Sequence, residues 1–327
     1  MDDLDRIAIG FQEAKILLAA AELRVFDLLK GEGASLPALL AKTGWDPRGA
    51  RILLDALVAI GLLDKREGVY RNRPELEPRL VEEDPDHFSW MLRHRNLMFR
   101  KWASIEDRVR GVAPSEPRPQ IGEAAANENF IRAMLSASGR TAPAVADAVP
   151  LEGVRILADI GGGPGHYLDA FARRKPDLEP YLVDLPITLG VARKLLARSP
   201  AFERFRFVAW DAYAEPVPGV LPALDVAFLS QLVHSESPEA NRGLFAKLAP
   251  RISPGGRIVV HENVLDPGRS SPRAAAVFAV NMLAMTPGGS TYTEAEIVSW
   301  GEDAGLERES GARLGERSYL VVLRKPR

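Results

Sequence analysis

The stretch Ile156–Phe171, "ILADIGGGPGHYLDAF", decides the fold, because a hydrophobic run ending in an acid leads into a glycine-rich turn and then a helical pattern. A strand, a glycine turn and an amphipathic helix in this order are typical of the ligand-binding turn of an α/β sheet. The glycines fit no frame of the Gly-x-Gly-x-x-Gly dinucleotide fingerprint, and no Gly-Lys-Ser/Thr follows as in a phosphate-binding loop. The helix start also lacks a basic residue to meet a pyrophosphate. The turn therefore indicates a ligand other than a pyrophosphate.

Strands and helices alternate from Val154 to the end of the chain. The strand-like segments are "VRILADI", "PYLVDL", "FRFVAW", "LDVAFLS", "RIVVHENVL" and "SYLVVLRK", and helix-like segments such as "YLDAFARRK", "TLGVARKLLAR", "EANRGLFAKLAPRI" and "EAEIVSWGEDAG" lie between them. Helices of this length between strands imply right-handed crossovers and a mostly parallel, doubly wound sheet. The predicted fold class is therefore α/β with a Rossmann-like sheet, and the ligand belongs at the carboxyl ends of the strands.

Acidic residues follow the first three strands of this predicted sheet. Asp159 precedes the glycine turn, Asp184 ends "YLVD" about 20 residues after it, and Asp211 follows "FVAW". A carboxylate beside a bare glycine turn suits an ammonium, the second acid can accept both hydroxyls of a ribose, and the third can accept an adenine amino group. This set of groups matches S-adenosylmethionine, which carries no phosphate. Taken singly, Asp184 and Asp211 could instead be turn residues or helix caps.

The N-terminal part of the chain has short helical patterns without long strands. The predicted helices are Ile7–Leu18, Glu22–Leu29, Leu36–Lys42 and Pro47–Ile60, and "LLDKREGVYRNR" predicts a hairpin around Glu67-Gly68. Short helices followed by such a wing form a winged helix, which most often binds DNA. Here the candidate recognition helix offers only Arg48 and Arg51 before it becomes almost wholly apolar. We therefore expect dimerisation through this apolar surface, with a cofactor-responsive DNA-binding regulator as the competing hypothesis.

The bulk composition excludes several other classes of function. The 42 basic residues nearly balance 44 acidic ones, for a net charge of -2, which gives no sign of a nucleic-acid partner. The absence of cysteine removes disulfides, thiolate nucleophiles and thiolate metal sites. The acidic N-terminus is unlike a signal peptide, and no apolar run approaches membrane-spanning length. We expect a cytoplasmic protein that acts on a small molecule, with no membrane partner.

Four motifs in order resemble the small-molecule O-methyltransferases of the plant caffeic acid and bacterial natural-product type. They are "ADIGGGPG", "VDLP", "WDAY" and "LAPRISPGGRIVVHENVL", and the resemblance covers essentially the whole chain. It implies a winged-helix-like dimerisation domain over residues 1–84, a helical connector over 85–150 that includes the loop "GVAPSEPRPQIG", and a class I methyltransferase domain over 151–327. It further implies a homodimer and the use of S-adenosylmethionine, with S-adenosylhomocysteine as product. The cofactor-binding residues implied in this way are Asp159, Gly161, Gly163, Asp184, Leu185, Asp211, Ala212 and Ser230.

The reaction centre is predicted in the segment "LDVAFLSQLVHSESPE". The family places its general base in a His-Asp-Trp-Ser-Asp segment, and His234 matches that histidine, while Glu262 matches a family glutamate that orients the base. A neutral imidazole suits a phenol, whose unperturbed pKa of about 10 leaves it mostly protonated at pH 7. The plainer alternatives are that His234 caps the following helix and that Glu262 is a surface carboxylate.

The acceptor side departs from the family pattern. Ser235 and Glu236 replace the family's Asp and Trp, Thr291 stands where a second family glutamate is expected, and Ser230 stands where a Lys or Arg is often found. Glu236 and His261 are candidate substitutes. These changes admit carbon or nitrogen acceptors, or a step such as hydroxylation, decarboxylation or cyclisation that uses the cofactor without methyl transfer.

A mostly apolar helix, "AAAVFAVNMLAM", is placed over the acceptor by the resemblance. The implied substrate is aromatic or polyketide-like, and core packing is an equally open explanation. The predicted substrate-binding residues are Phe130, Met134, Phe278, Asn281, Met282 and Met285. His166, just after the glycine turn, is either a contact of the methionyl part of the cofactor or a surface residue. No metal is predicted, since no tight Asp/Glu/Asn/His cluster stands near His234.

Overall fold

The computed structural model describes residues 2–83, 87–112 and 123–327, and its chain packs as two compact units, residues 1–100 and 101–327. The predicted boundary between residues 84 and 85 lies outside the described residues. So does most of the predicted loop "GVAPSEPRPQIG", from residue 113 onward. The two units are taken in turn below.

The first unit is mainly helical, with a small antiparallel sheet. Its helices are α1 (Asp3–Ile9), α2 (Phe11–Glu22), α3 (Val25–Leu28), α4 (Leu36–Thr43), α5 (Pro47–Ala59), α6 (Glu77–Leu80) and most of α7 (Ser89–Trp102). Its strands are β1 (Ala34–Ser35), β2 (Leu63–Arg66) and β3 (Val69–Asn72), in the order β1-β3-β2. The hairpin prediction is confirmed: Glu67 and Gly68 both have positive φ, 51° and 78°, as in the two-residue turns that match strand twist.

Two predicted helices of this unit are wrong in extent. The prediction over Ile7–Leu18 crosses Gly10, where α1 ends and α2 begins, because glycine is among the least favourable residues in a helix interior. The prediction over Glu22–Leu29 reduces to α3, since Arg24 has a left-handed φ of 56° that interrupts the helical path. Helices α4 and α5 agree with prediction, and Ser35 and Asp46 cap their N-termini.

The second unit is built on a seven-stranded sheet in the order β11-β12-β8-β7-β4-β5-β6. These strands are β4 (Ile156–Ile160), β5 (Glu179–Asp184), β6 (Arg206–Ala209), β7 (Leu224–Ser230), β8 (Ile252–Glu262), β11 (Glu307–Gly315) and β12 (Ser318–Arg324). The five neighbouring strands β8, β7, β4, β5 and β6 pair in parallel, whereas β12 is antiparallel to both β8 and β11. The predicted mostly parallel, doubly wound sheet is confirmed.

Helices cover both faces of this sheet. The helices of the second unit are α8 (Ile105–Val109), α9 (Ala124–Ser138), α10 (Ala142–Ala148), α11 (His166–Arg174), α12 (Pro186–Leu196), α13 (Pro238–Leu248), α14 (Arg273–Met285) and α15 (Glu294–Asp303), and a short parallel pair joins β9 (Val264–Leu265) to β10 (Tyr292–Thr293). Two buried clusters separate across the sheet: Ala158 and Ile160 belong to one, Leu157 and Phe228 to the other. Strands buried on both faces are typical of α/β sheets.

The position of the ligand follows from the strand order. From β4 the chain proceeds to β5 and β6 on one side, then returns to β7 on the other side of β4. A ligand crevice forms outside the carboxyl ends of strands at such a switch point. Within the described residues, no helix is long and apolar enough to cross a membrane.

Candidate active site

The glycine turn leaves β4 at Ile160 and leads into α11. Gly161, Gly163 and Gly165 all have positive φ, between 54° and 77°, a region that residues with side chains rarely adopt. A Cβ on Gly162 would lie 2.6 Å from Cγ of Asp159, so this position too has room only for glycine. The turn therefore offers backbone atoms without side chains to a ligand that packs against it.

Asp159 is the most unusual group at this turn. It is fully buried, and neither carboxylate oxygen has a hydrogen-bond partner in the described part of the chain. Burial, and secondarily the charge of Asp184, raises the pKa of Asp159 to about 8. A buried acceptor without a partner is costly, so these oxygens suit a ligand group that donates hydrogen bonds or carries positive charge. These oxygens beside bare backbone fit the ammonium of S-adenosylmethionine.

Asp184, at the end of β5, braces the same turn. Its Oδ2 accepts the N–H of Gly163 at 2.8 Å, and its Oδ1 accepts the N–H of Leu185 at 2.7 Å, just before α12. Each carboxylate oxygen has a second lone pair for a further donor. Asp184 is therefore a turn residue, which was one of the two predicted alternatives. Its carboxylate can still accept a hydrogen bond from a ribose hydroxyl.

Asp211 follows β6 and organises the next loop. Its Oδ1 accepts the N–H groups of Tyr213 at 3.1 Å and Ala214 at 3.0 Å. Lys247 donates to the carbonyl oxygens of Ala212 and Tyr213, which ties this loop to α13. Asp211 thus makes the contacts of a turn residue, at the strand end where the prediction placed it.

His234 and Glu262 form a dyad at the carboxyl ends of β7 and β8. The two Glu262 oxygens lie 2.9 Å and 3.1 Å from Nδ1 of His234. Because a carboxylate accepts hydrogen bonds, Nδ1 carries the proton and Nε2 presents its lone pair. Glu262 is only 2% exposed, so its interpretation as a surface carboxylate is wrong. The interpretation of His234 as a helix cap is also wrong, because Ser237 caps α13.

The residues that depart from the family pattern make local structural contacts. Ser235 Oγ donates to the carbonyl of Leu232 at 2.8 Å, and the buried Thr291 donates to the carbonyl of Ala275 at 3.1 Å. The hydroxyl of Tyr292 donates to the carbonyl of Glu236. Thr291 therefore secures the backbone of α14 where a family glutamate is expected.

His261 does not act as a substitute partner of His234. Successive side chains of a strand point to opposite faces, so His261 lies across β8 from Glu262. Its Nδ1 lies 2.8 Å from Oγ of Ser230 and its Nε2 lies 2.7 Å from Oγ of Ser318. Burial lowers the pKa of His261 to about 4, which keeps the ring neutral. Ser230, predicted to bind the cofactor, is engaged by this ring, although a hydroxyl can make more than one hydrogen bond.

The predicted substrate-binding residues divide between two helices. Phe278, Asn281, Met282 and Met285 recur at three- and four-residue spacing on one face of α14, and the Phe278 ring meets the His234 ring edge-on with centroids 4.9 Å apart. Phe130 and Met134 lie on α9, whose Ile131 would be 3.9 Å from a Cβ on Gly163. The structure thus places α14 against the dyad and α9 beside the glycine turn.

His166 connects the glycine turn to α9. Its Nε2 lies 2.8 Å from Oγ of Ser138, while its buried Nδ1 has no partner among the residues described. Burial lowers the pKa of His166 to about 3, so this ring is neutral as well.

Some residues near the dyad were not singled out from the sequence as site residues. The N–H of Trp102 donates to Oδ1 of Asn281 at 3.0 Å. Gln231, with a left-handed φ of 52°, accepts at 2.8 Å from Nδ2 of Asn263, the residue after Glu262. Polar residues directly after strands β7 and β8 were the available signal, whereas no local pattern in the sequence reveals the Trp102 contact. Residues 2–83, 87–112 and 123–327 contain no group of three or more His, Cys, Asp or Glu that could hold a metal ion.

The doubly wound sheet, the glycine turn with its acids and the histidine dyad define a class I methyltransferase. A family model described as an O-methyltransferase domain matches residues 118–307, and one described as an O-methyltransferase dimerisation domain matches residues 6–75. The chain belongs to this O-methyltransferase family. The predicted resemblance, enzyme class and cofactor are thereby confirmed: the protein is an S-adenosylmethionine-dependent methyltransferase.

Two curated relatives and one solved structure are similar over most of the chain. The 3-hydroxy-5-methyl-1-naphthoate 3-O-methyltransferase of Streptomyces sahachiroi is 32% identical, over 92% of this chain and 88% of the relative. The tetracenomycin polyketide synthesis 8-O-methyl transferase TcmO of Streptomyces glaucescens is 28% identical, over 99% and 97%. Human N-acetylserotonin methyltransferase, solved in complex with SAM, has a TM-score of 0.85 and 24% identity, over 100% and 99% of the two chains.

Proposed function

We propose that this enzyme methylates a hydroxyl oxygen of an aromatic or polyketide-like small molecule, with His234 as general base and Glu262 as the residue that orients it. The observation that carries the proposal is the pair of contacts between the Glu262 carboxylate and Nδ1 of His234, at 2.9 Å and 3.1 Å. This pairing fixes the tautomer in which Nε2 is the free base. Phe278, packed edge-on to the imidazole, gives the base an aromatic wall against which a flat ring can lie.

The residues of the protein remove a proton from the methyl acceptor and hold the acceptor in position. S-adenosylmethionine, when bound, supplies an electrophilic methyl group on a sulfonium. His234 takes the proton of the acceptor hydroxyl at Nε2, and the buried Glu262 charge stabilises the imidazolium that results. Because a phenol with a pKa of about 10 is mostly protonated at neutral pH, proton removal raises the fraction of the reactive oxyanion.

The residues proposed to hold the cofactor lie along the carboxyl ends of β4 to β7. Asp159 would pair with the ammonium, Gly161 and Gly163 would offer their backbone, and Asp184 would accept the ribose hydroxyls. Support comes from the unpartnered oxygens of Asp159 and the left-handed glycines. The remaining proposed contacts are those of Leu185, Asp211, Ala212, Ser230 and His166.

The proposed acceptor class draws on two sources. Helix α9 and helix α14, the latter through Phe278, Met282 and Met285, would line the acceptor site with apolar and aromatic side chains. The two Streptomyces relatives are named for a hydroxynaphthoate and for a tetracenomycin polyketide. These names describe a fused aromatic acid and a polyketide, which supports a fused or extended aromatic methyl acceptor here.

Transfer of a labelled methyl group to hydroxylated naphthalenes and anthraquinones tests the activity and the atom that is methylated. Methylated oxygen in the product, together with loss of turnover in His234→Ala, is expected. Ser235→Ala is the matched control, because it alters the residue next to His234 and keeps both side chains of the dyad. Methylation at carbon or nitrogen would contradict the hydroxyl assignment, and full turnover in His234→Ala would contradict the assigned base.

A homodimer through the N-terminal domain is also proposed. Leu4, Ile7, Ile9 and Phe11 are between 42% and 77% exposed at the start of the chain, within or next to the segment that matches the dimerisation domain. Apolar side chains exposed together mark an interaction surface. Light scattering after gel filtration is expected to give twice the chain mass, and to give the monomer mass for the variant Ile7→Glu/Phe11→Glu. A monomeric wild type at micromolar concentration would contradict the proposal.

A further inference from the structure

We propose that Asn281, held in one orientation by Trp102, is a hydrogen-bond donor that selects acceptors carrying a carbonyl or carboxylate oxygen besides the methylated hydroxyl. This inference rests on the proposed function, because it assigns the space beside His234 to the acceptor. It names a feature of the substrate that neither the dyad nor the cofactor site determines.

The orientation of the Asn281 amide follows from its neighbour. The indole Nε1 of Trp102 lies 3.0 Å from Oδ1 of Asn281. An indole nitrogen only donates, so it must face the amide oxygen, and the amide cannot be turned around without placing two donors against each other. Asn281 therefore presents Nδ2, with its two N–H groups, to its remaining surroundings. No residue in the described ranges accepts a hydrogen bond from Nδ2.

The place of this donor follows from the helix. Asn281 lies three residues after Phe278 on α14, so their Cβ atoms are about 5–6 Å apart on one face. The Phe278 ring is 4.9 Å from the His234 ring between centroids. Asn281 is 7% exposed and Met282 is 6% exposed, whereas Val280 and Leu283 on the other face are 37% and 38% exposed. The donor is thus on the inner face of the helix, about one turn beyond the aromatic wall of the base.

The chemistry of a lone donor in an apolar wall determines what it selects. A substrate with a suitably placed oxygen accepts a hydrogen bond from Nδ2. A substrate without such an oxygen excludes water from Nδ2 and leaves its N–H groups without a hydrogen bond. Sites built to bond a polar group of the substrate reject the analogue that lacks it. The class so defined is a hydroxylated aromatic ketone, quinone or arenecarboxylate, in preference to a simple phenol.

Three probes that share one phenol test this preference: 2-naphthol, its 4-acetyl derivative and its 4-carboxylate. The measured quantity is kcat/KM for a substituted naphthol divided by kcat/KM for 2-naphthol. Dividing the ratio of a variant by that of the wild type cancels the intrinsic reactivity of each phenol. We expect the wild type to prefer both substituted naphthols, and Asn281→Leu to lower the ratio about 10- to 100-fold. Asn281→Asp is expected to lower the ratio most for the carboxylate, because two like charges then meet.

Trp102 is a positioning residue in this account, and Trp102→Phe tests it. That variant keeps an aromatic ring but frees the amide to turn its oxygen toward the acceptor. The ratio is expected to fall about 3- to 10-fold while the affinity for S-adenosylhomocysteine stays within twofold. Leu283→Gln, on the outer face of the same helix, is the matched control and is expected to leave the ratio unchanged.

The outcomes separate this inference from the proposed function. If none of the naphthols is methylated, the proposed activity fails for this class, and the dissociation constants of the same three compounds with S-adenosylhomocysteine present supply the ratio instead. The inference is overturned if the wild type shows no preference in either measurement. It is equally overturned if Asn281→Leu and Trp102→Phe both leave the ratio within twofold of the wild type.

Discussion

The proposed cofactor side of the site and the proposed acceptor side are built in different ways. On the cofactor side, the glycine turn follows β4, and the three acids lie at the carboxyl ends of β4, β5 and β6. Asp184 accepts a hydrogen bond directly from the glycine turn. On the acceptor side, His234, Glu262 and Phe278 come from three separate elements and meet only in the folded chain. The first arrangement is fixed by local geometry, while the second depends on packing between distant segments. We therefore expect changes on the two sides to affect different measurements.

The largest effect is expected for His234→Ala. Loss of a general base lowers turnover about 10²- to 10⁴-fold, whereas the cofactor turn is untouched. Turnover is measured with saturating acceptor, and cofactor affinity is measured on the same preparation by calorimetry. Affinity within twofold of the wild type is expected, and a parallel loss of affinity would remove the separation between the two sides.

Asp159→Asn is expected to change the affinity for the cofactor and the pH dependence of that affinity. Burial raises the pKa of Asp159 to about 8, so this carboxyl is mostly protonated at pH 7 in the ligand-free protein. An ammonium beside it favours the ionised form, so binding expels a proton and affinity rises between about pH 6 and pH 7.5, below the α-amino pKa of about 8. Calorimetry in buffers of different ionisation enthalpy is expected to find nearly one proton released, and none in Asp159→Asn.

The same group gives the ligand-free protein a defined pH dependence of stability. The pKa of Asp159 in the folded state, about 8, exceeds its value in the unfolded chain, about 3.9. Its contribution is therefore fully present below about pH 4 and is lost as the pH rises toward 8. The thermal midpoint relative to Asp159→Asn is expected to fall across this window. Asp177→Asn, which changes an exposed acid, serves as control, and identical slopes in all three proteins would rule out the account.

Gly162→Ala is expected to have the smallest of these effects, on stability together with cofactor binding. The added Cβ would lie 2.5 Å from Cδ1 of Leu182 and 2.6 Å from Cγ of Asp159. Such overpacking costs about 1–3 kcal/mol of unfolding free energy. Gly190→Ala, inside α12 with open space around it, is the matched control and is expected to stabilise by about 0.5–1 kcal/mol. Denaturant unfolding measures both, and equal shifts would show that the turn is not tightly packed.

The same contrast explains what could be predicted from the sequence. The glycine turn and its acids were found because strand, turn and acid lie close together in the chain and their spacing is set by backbone geometry. Strand β11 was not among the predicted strands, because four of its nine residues are charged, all but one glycine are exposed, and they show no apolar alternation. The break at Gly10 was missed because apolar periodicity continues across it.

On the acceptor side, the sequence alone placed His234 and Glu262 by resemblance but could not tell which neighbours assist them. His261 adjoins Glu262 in sequence and faces away from it in space, since a strand turns alternate side chains to opposite faces. Asn281 and Trp102 are 179 residues apart and carry no local signal of their contact. Selectivity of this kind is a property of tertiary packing.

The central claim, that His234 removes the acceptor proton, is tested most directly with two small phenols. Phenol is protonated at neutral pH, whereas 4-nitrophenol is largely ionised at about pH 8.5 and no longer needs a base. The measurement is the ratio of wild-type to His234→Ala kcat/KM for each phenol at that pH. A large ratio for phenol and a ratio near one for 4-nitrophenol is the predicted result. Equal ratios for the two phenols would contradict the claim and would leave His234 with a role in positioning alone.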